Sequence, residues 1–363
     1  MNSLGNELKV IHEMISSRYP FVERVAVAVY DPVLDALTTF VSSNNDEVML
    51  KHYAAKLAQV PSLAALAAGR HSRVVNDIAN EFSAASVHSA WLKERGYRAS
   101  YTCPIFQNEA LGGFLFFDSK EAAVFTPDVA SFLDTYAHLI SQIFLLQLRV
   151  ANGVLGMIQV AVGLARIRDL ETGQHLERIA SYSRIMVRAL SEQHGLDDEY
   201  GRYIELFAPL HDIGKVGIPD SVLLKPGSLN ADEWVIMRSH VQIGEKIIEK
   251  MTSDMNLQDS LSARVMRNIV ATHHERGDGS GYPKGLTMND IPIEGRIVAV
   301  ADVYDALSNR RPYKSPWSQE QVAQELMHEV DAGRLDGDCV RALLAADTQR
   351  EAIRTQLADP EPG

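Results

Sequence analysis

The spacing of hydrophobic positions changes part-way along the chain, and the change predicts two domains. Near the start, "LKVIHEMISSRY" repeats apolar residues at helical spacing. "RVAVAVYDPVLDALTTFVSS" then gives two β-rich runs, broken hairpin-fashion at Asp31 and Pro32. "SLAALAAG" predicts a short helix closed by Gly69 as its C-cap. "SYTCPIFQNEALGGFLFFDS" predicts a second strand pair, with Asn108 and Glu109 between the strands. From about Pro127 the pattern turns helical and stays so. "DVASFLDTYAHLISQIFLLQLRV" places Val129, Phe132, Leu133, Tyr136, Ile140 and Ile143 at spacings of three and four. Such a helix is either a core helix of the first domain or a connector that pairs with its twin in a homodimer. Beyond Val154, turn clusters separate further amphipathic segments with few β-branched runs. The expected organisation is therefore multidomain. An α/β domain covers residues 1–147, an all-α domain covers 148–348, a long helix joins them, and 349–363 is a polar tail.

Composition narrows the class. Of 363 residues, 46% are hydrophobic and 23% charged, as in a soluble protein with ordinary cores. No uninterrupted apolar run reaches the roughly 18–20 residues that span a bilayer. The start, "MNSLGNELKVIHEM", lacks the pattern of an export signal. Cys103 and Cys339 lie far apart without ligand-like spacing, which suits a reduced, cytoplasmic setting. The net charge of −12 argues against a nucleic-acid polymer as partner. It leaves room for a small anionic substrate, because a metal or a Lys/Arg cluster can dominate its own pocket.

The second half carries the chemistry. "DLETGQHLERIASYS" sets Glu171 and His175 four apart, on one helical face. "LHDIGKVGIPDSVLLKPG" joins His211 and Asp212 and places Lys215 one turn on. His240, His273, His274, Asp302 and Asp305 follow, then Arg311 and Lys314. His240 alone would read as a satisfied core histidine. The set reads otherwise, because "FAPLHDIG", "IVATHHE" and "IVAVADVYDAL" are apolar stretches. Burying so many imidazoles and carboxylates without partners costs several kcal/mol each. A metal cluster supplies the partner, and His/carboxylate ligation without cysteine suits Fe, Mn, Zn, Co or Ni. His211 and Asp212 are the expected ligands, with Asp212 as the bridge. Two cations about 3.5–4 Å apart acidify a water and neutralise phosphoryl oxygens in phosphate-ester hydrolysis. An ammonium at Lys215 would hold a phosphate oxygen or protonate the leaving oxygen; its alternative is a helix-end lysine facing the dipole.

The order of elements over residues 5–145 resembles a GAF domain, a small-ligand or dimerisation sensor, on pattern alone. "HDIGK", "HHERGDGSGYPKGL", "VADVYDALSNRRPYK" and the intervening "IPDSVLLKPGSLNADEWVIMRSH" resemble an HD-GYP domain over residues 165–318. That resemblance implies an all-α domain of five or more core helices and two or three divalent metal ions, usually iron or manganese. It implies hydrolysis of cyclic di-GMP to pGpG or GMP. The implied ligands are His175, His211, Asp212, His240, His273, His274 and Asp302. Glu171 falls where an acid accompanies a third metal. Lys215 is the lysine of the HD motif and, with Asp212, the implied catalytic pair. Gly281, Tyr282 and Pro283 form the signature loop at the substrate. Arg311 and Lys314 match residues that hold its phosphates or guanines. Asp305, one turn from Asp302, is a candidate partner behind the ligands. One departure is Gly277, where the family usually has a bulky residue. Its absence is expected to loosen the loop or remove a packing contact. The reading is a cytoplasmic cyclic-dinucleotide phosphodiesterase regulated by a GAF-like domain with an unidentified small ligand. The competing readings are a receptor with little turnover and a hydrolase of cyclic GMP-AMP.

Overall fold

A computed structural model describes residues 4–32, 35–44, 54–81, 87–166, 173–309 and 317–359. The chain divides into two compact units, Asn2–Val150 with Asp197–Glu199, and Ala151–Leu196 with Tyr200–Gly363.

The first unit is built on a six-stranded antiparallel sheet in the order β3-β2-β1-β6-β5-β4. Its strands are β1 (Arg24–Asp31), β2 (Ala36–Asn44), β3 (Ala54–Lys56), β4 (Arg73–Val75), β5 (Ala99–Gln107) and β6 (Ala110–Ser119). Alternation along the strands gives the sheet two apolar faces. Val25, Val27, Val29, Leu115 and Phe117 face α1 (Leu4–Arg18) and α5 (Pro127–Arg166). Ala28, Phe114 and Phe116 face α2 (Pro61–Gly69). The short α3 (Ile78–Glu81) and α4 (Val87–Glu94) complete this unit. The expected strand pairs are present, and Asn108 takes a positive φ of 56° in the β5–β6 turn. One detail differs at α2. Gly69 is the last helical residue, and Arg70 adopts the left-handed cap conformation at φ 51°. By length and composition Pro127–Arg149 would suffice to cross a membrane. Here Val129, Leu133, Ala137, Ile140 and Phe144 are buried in the core with the sheet.

The second unit is helical among its described residues. It comprises the C-terminal part of α5, then α6 (Gly173–His194), α7 (Asp198–Phe207), α8 (Asp220–Leu223), α9 (Ala231–Arg238), α10 (His240–Asp254), α11 (Leu261–Thr272) and α12 (Ile293–Ser308). α13 (Gln319–Asp331), α14 (Gly337–Ala345) and α15 (Asp347–Gln356) follow. Two 3₁₀ turns, Ala208–Leu210 and Ile213–Gly217, flank the His211-Asp212 pair. Apolar positions of α6, α7, α11, α12 and α14 share one core. The expected polar tail is corrected by α15. Arg350 and Ile353 are buried there, and Arg350 donates to the carbonyl of Leu344 at 3.0 Å. An amphipathic turn of only two buried positions, with polar residues between, disguised this helix in the sequence.

Candidate metal centre

Five elements bring the histidines and two aspartates together. His175 lies on the first turn of α6, on the face that continues into Ile179, Tyr182 and Met186. His211 and Asp212 occupy the break between the two 3₁₀ turns. His240 opens α10, and His273 and His274 follow the end of α11. Asp302 lies mid-way along α12. The donor atoms form two groups, each within 4.8 Å: Asp212, His240, His273 and His274 in one, and His175, His211 and Asp302 in the other.

Hydrogen bonds behind the rings fix where each ring nitrogen points. His211 Nδ1 donates to Ala208 O at 3.0 Å and His240 Nδ1 to Met237 O at 2.8 Å. His273 Nδ1 donates to Ile269 O and Val270 O at 3.2 and 3.1 Å. A carbonyl only accepts, so each Nδ1 carries hydrogen and each Nε2 is left as a ligand atom. Burial disfavours the charged form of His273 and His274 and lowers both below the usual histidine value. His175 Nδ1 lies 2.8 Å from Asp305 Oδ2, an oriented imidazole–carboxylate pair.

Asp212 is the hub. Its Oδ1 lies 3.1 Å from His240 Nε2 and 3.6 Å from His273 Nε2. Its Oδ2 lies 3.2 Å from His211 Nε2 and 2.9 Å from Lys215 Nζ. Burial pushes the Asp212 carboxyl up, but its charged and hydrogen-bonding surroundings, the Lys215 ammonium foremost, outweigh this and hold it well below the usual carboxylate range. His240 Nε2, His273 Nε2 and Asp212 Oδ1 are buried without a hydrogen bond of acceptable geometry. With the tautomers fixed, lone pairs face a carboxylate oxygen. Acceptor against acceptor is a repulsive arrangement that a divalent cation converts into ligation. The residues present therefore fit a metal centre of nitrogen and oxygen donors.

Of the other sequence-derived positions, Tyr282 stacks on His274 with ring centroids 4.7 Å apart. Gly281 passes against the backbone of Glu275, where a Cβ would meet its Cα at 2.5 Å. Pro283 follows through a cis peptide bond. Glu171, Arg311 and Lys314 lie outside the described residues. Gly277 does not loosen the loop. Its N–H donates to Arg334 O at 3.0 Å, its carbonyl accepts from Met288 N at 3.0 Å, and a Cβ would meet Gly333 O at 2.6 Å. The bulky residue expected by resemblance has no room here.

Three contributors escaped the sequence reading. Arg178 is buried and grips Asp305. Glu275, also buried, accepts from the backbone N–H groups of Lys284 and Leu286 at 2.7 and 2.9 Å. It thereby ties down the loop that carries Tyr282. Arg238 lies over the Tyr282 ring at 4.9 Å. For Glu275 a signal existed: it is the acid directly after the histidine pair.

The helical fold and this cluster define a class, the HD-type helical domain with a His/Asp metal centre, here combined with an α/β sensor fold. Residues 168–339 match the family model of the HD domain, and residues 13–144 match that of the GAF domain. The chain thus joins a GAF domain to an HD domain. It is 44% identical over 193 residues to the 3'3'-cGAMP-specific phosphodiesterase 2 of Vibrio cholerae, covering 53% of this chain and 34% of that protein. It is 42% identical over 170 residues to a cyclic di-GMP phosphodiesterase of Thermotoga maritima, covering 47% and 43%. It is 45% identical over 199 residues to the cyclic di-GMP phosphodiesterase response regulator RpfG of Xanthomonas campestris pv. campestris, covering 54% and 49%. The chain spans half or less of these relatives' lengths.

Proposed function

We propose that the protein is a metal-dependent phosphodiesterase that hydrolyses a cyclic dinucleotide, cyclic di-GMP to pGpG and/or GMP, under control of its GAF domain. The observation that carries this reading is Asp212, whose two oxygens face separate sets of imidazole nitrogens. That arrangement supports a bridging carboxylate. His240, His273 and His274 would hold one ion and His175, His211 and Asp302 another. Nitrogen and oxygen donors without thiolate suit Fe, Mn, Zn, Co or Ni; the HD-GYP resemblance singles out iron or manganese among them, with Glu171 the candidate for a third ion. When bound, such cations acidify water and neutralise phosphoryl oxygens.

The chain's own residues do the rest. Lys215, 2.9 Å from Asp212, stands at the edge of the cluster and is 21% exposed, so its ammonium can donate to an incoming phosphate or to the leaving oxygen. Asp305, backed by Arg178, keeps the His175 ring oriented. Gly281, Tyr282 and Pro283 line the approach beside His274, with Arg311 and Lys314 as candidate phosphate or guanine contacts.

Two features support a homodimer. Leu139 and Leu146 on α5 are 47% and 61% exposed. Their seven-residue spacing continues in the sequence through Gly153 and Val160, interleaved with Ile143, Val150, Met157 and Leu164. Both cysteines, Cys103 and Cys339, are buried free thiols, in keeping with a cytoplasmic setting.

Anaerobic purification, metal analysis and product identification from cyclic di-GMP and 3'3'-cGAMP side by side test the reading. Wild type should turn over at least one of them with two or more metal ions per chain, and Asp212→Ala should lose both metal and activity. Full metal and turnover in Asp212→Ala would overturn the cluster assignment. A second reading, hydrolysis of 3'3'-cGAMP, is favoured by the name of the Vibrio cholerae relative, and the same assay separates the two. Tight binding without turnover would support the receptor alternative.

A further inference from the structure

The exposed aromatic of α9 stands beside the metal centre, and nothing in the catalytic arrangement uses it. α9 has no buried residue, although it contains Trp234, Val235 and Ile236. Trp234 is 48% exposed. The helix is nevertheless fixed at its start. Asn230 Oδ1 accepts from Glu233 N at 2.9 Å, Glu233 returns a bond to Asn230 N at 2.8 Å, and Lys225 pairs with Glu233. It is fixed at its end because Ser239 leads directly into His240 of the metal cluster.

Between these ends the Arg238 guanidinium lies 5.8 Å from the Trp234 ring centre and 4.9 Å from that of Tyr282. Tyr282 in turn stacks on His274, with 30° between ring planes. Trp234, Arg238, Tyr282 and His274 thus form one continuous array of flat groups running from solvent to the metal ligands. Arg238 is exposed, so the edge of its guanidinium is accessible to an incoming base.

We infer that this array is a guanine-reading platform, in which Trp234 stacks against one base of the substrate and Arg238 donates to that base's O6 and N7. A flat array with an accessible π-face is what nucleobases stack on. The second element gives selectivity. Guanine presents two acceptors, N7 and O6, on one edge, which an arginine fork matches; adenine presents an acceptor and an amino donor there, which repels the fork. The platform therefore accepts cyclic di-GMP, and cyclic GMP-AMP in one orientation, and disfavours cyclic di-AMP. This inference rests on the cyclic-dinucleotide reading.

The test uses the metal-loaded full chain, with cyclic di-GMP, 3'3'-cGAMP and cyclic di-AMP as probes. Trp234→Ala and Arg238→Ala should each raise KM for cyclic di-GMP about tenfold, the order expected for one lost base contact. kcat should stay within about twofold and metal content should not change, because neither residue reaches the ligands. Trp234→Phe should keep most of the affinity. Arg238→Lys, which retains the charge without the fork, should narrow the preference for guanine over adenine. Unchanged KM and unchanged base preference in both alanine variants would overturn the platform. So would loss of metal in the conservative Trp234→Phe and Arg238→Lys proteins, which would make these residues struts of the centre. If the wild type turns over none of the probes, the phosphodiesterase reading fails. Equilibrium dialysis of labelled cyclic di-GMP against the same proteins then decides the platform separately: binding weakened by Trp234→Ala supports it, and unaltered binding rejects it.

Discussion

Arg178 holds Asp305 through two hydrogen bonds, 2.6 Å from Nε to Oδ1 and 2.9 Å from Nη2 to Oδ2, while Asp305 meets His175 at 2.8 Å. The guanidinium is itself buried and donates from Nη1 to Leu357 O at 2.9 Å. A metal-ligating histidine is only as well aimed as the group behind it. Asp305→Asn is therefore expected to weaken metal binding at the His175 site about 10–100-fold. Dialysis against graded chelator followed by metal analysis reads this directly. Arg178→Ala should also destabilise the fold by about 3–5 kcal/mol, since it strands a buried carboxylate. Metal retention equal to wild type in Asp305→Asn would remove Asp305 from the centre.

Lys215 stands over Asp212 because the segment is a 3₁₀ turn, in which residues three apart eclipse. A cation cannot ligate metal, and beside metal ions it is tolerated only where anions lie between. The Asp212 carboxylate is one such anion, and under the proposed function the substrate phosphate is the other. Lys215→Ala should keep its metal and its fold and lose on the order of 2–4 kcal/mol of transition-state stabilisation, as for one preorganised donor. Lys215→Arg should restore part, being charged but differently shaped and unable to release its proton. The checks are metal content, Tm and kcat/KM for the three proteins. Wild-type turnover by Lys215→Ala would leave it a surface cation; loss of metal would make it a structural one.

How much of this was legible beforehand depended on the range of the interaction. The switch of hydrophobic period near Pro127 is local, and so is the clustering of His and Asp inside apolar stretches; both are readable in one dimension. The Arg178–Asp305 pair spans 127 residues, and Arg178 sits on an amphipathic helix where an arginine reads as solvated. Gly277 was read from resemblance as a gap, yet it is where the loop passes the backbone of Gly333. Trp234 entered the sequence reading only within a stretch noted for its resemblance, and only the structure shows that α9 buries none of its residues. α15 failed as a helix in the sequence because its packing rests on Arg350 and Ile353, one of them charged.

Glu275 supplies a third prediction. Its two oxygens each accept one backbone N–H from the loop, so Glu275→Gln presents an amide donor to a donor. The loss should be about 2 kcal/mol of stability, the scale of a buried charge-assisted bond left unmade. Released from residues 284 and 286, Tyr282 should sit less firmly on His274. KM should then rise while bound metal is unchanged. Denaturant midpoints and steady-state kinetics measure both effects. Unaltered stability would show that the loop holds itself.

The last prediction concerns the GAF domain and pH. His12 on α1 is buried; its Nε2 donates to Val22 O at 2.9 Å, so Nδ1, 2.8 Å from Ser43 Oγ, accepts from the hydroxyl. Burial penalises the protonated ring and outweighs the Val22 carbonyl and Glu13, which favour it, so His12 titrates below its usual value. The sign follows from linkage. Between the unfolded value, about 6.5, and the lower folded one, the unfolded chain binds a proton that the folded chain refuses. The contribution of His12 is thus complete above about pH 6.5 and is lost as pH falls through that window. His12→Gln loses a buried hydrogen bond worth about 1 kcal/mol but carries no such proton. The Tm deficit of His12→Gln relative to wild type should therefore be largest near about pH 7.5 and shrink toward about pH 5.5. Comparing the two proteins at each pH cancels the other titrating groups. A deficit that stays constant would mean that folding leaves the proton affinity of His12 unchanged, and one that grows on acidification would mean that His12 is protonated in the folded domain, with Ser43 as its acceptor.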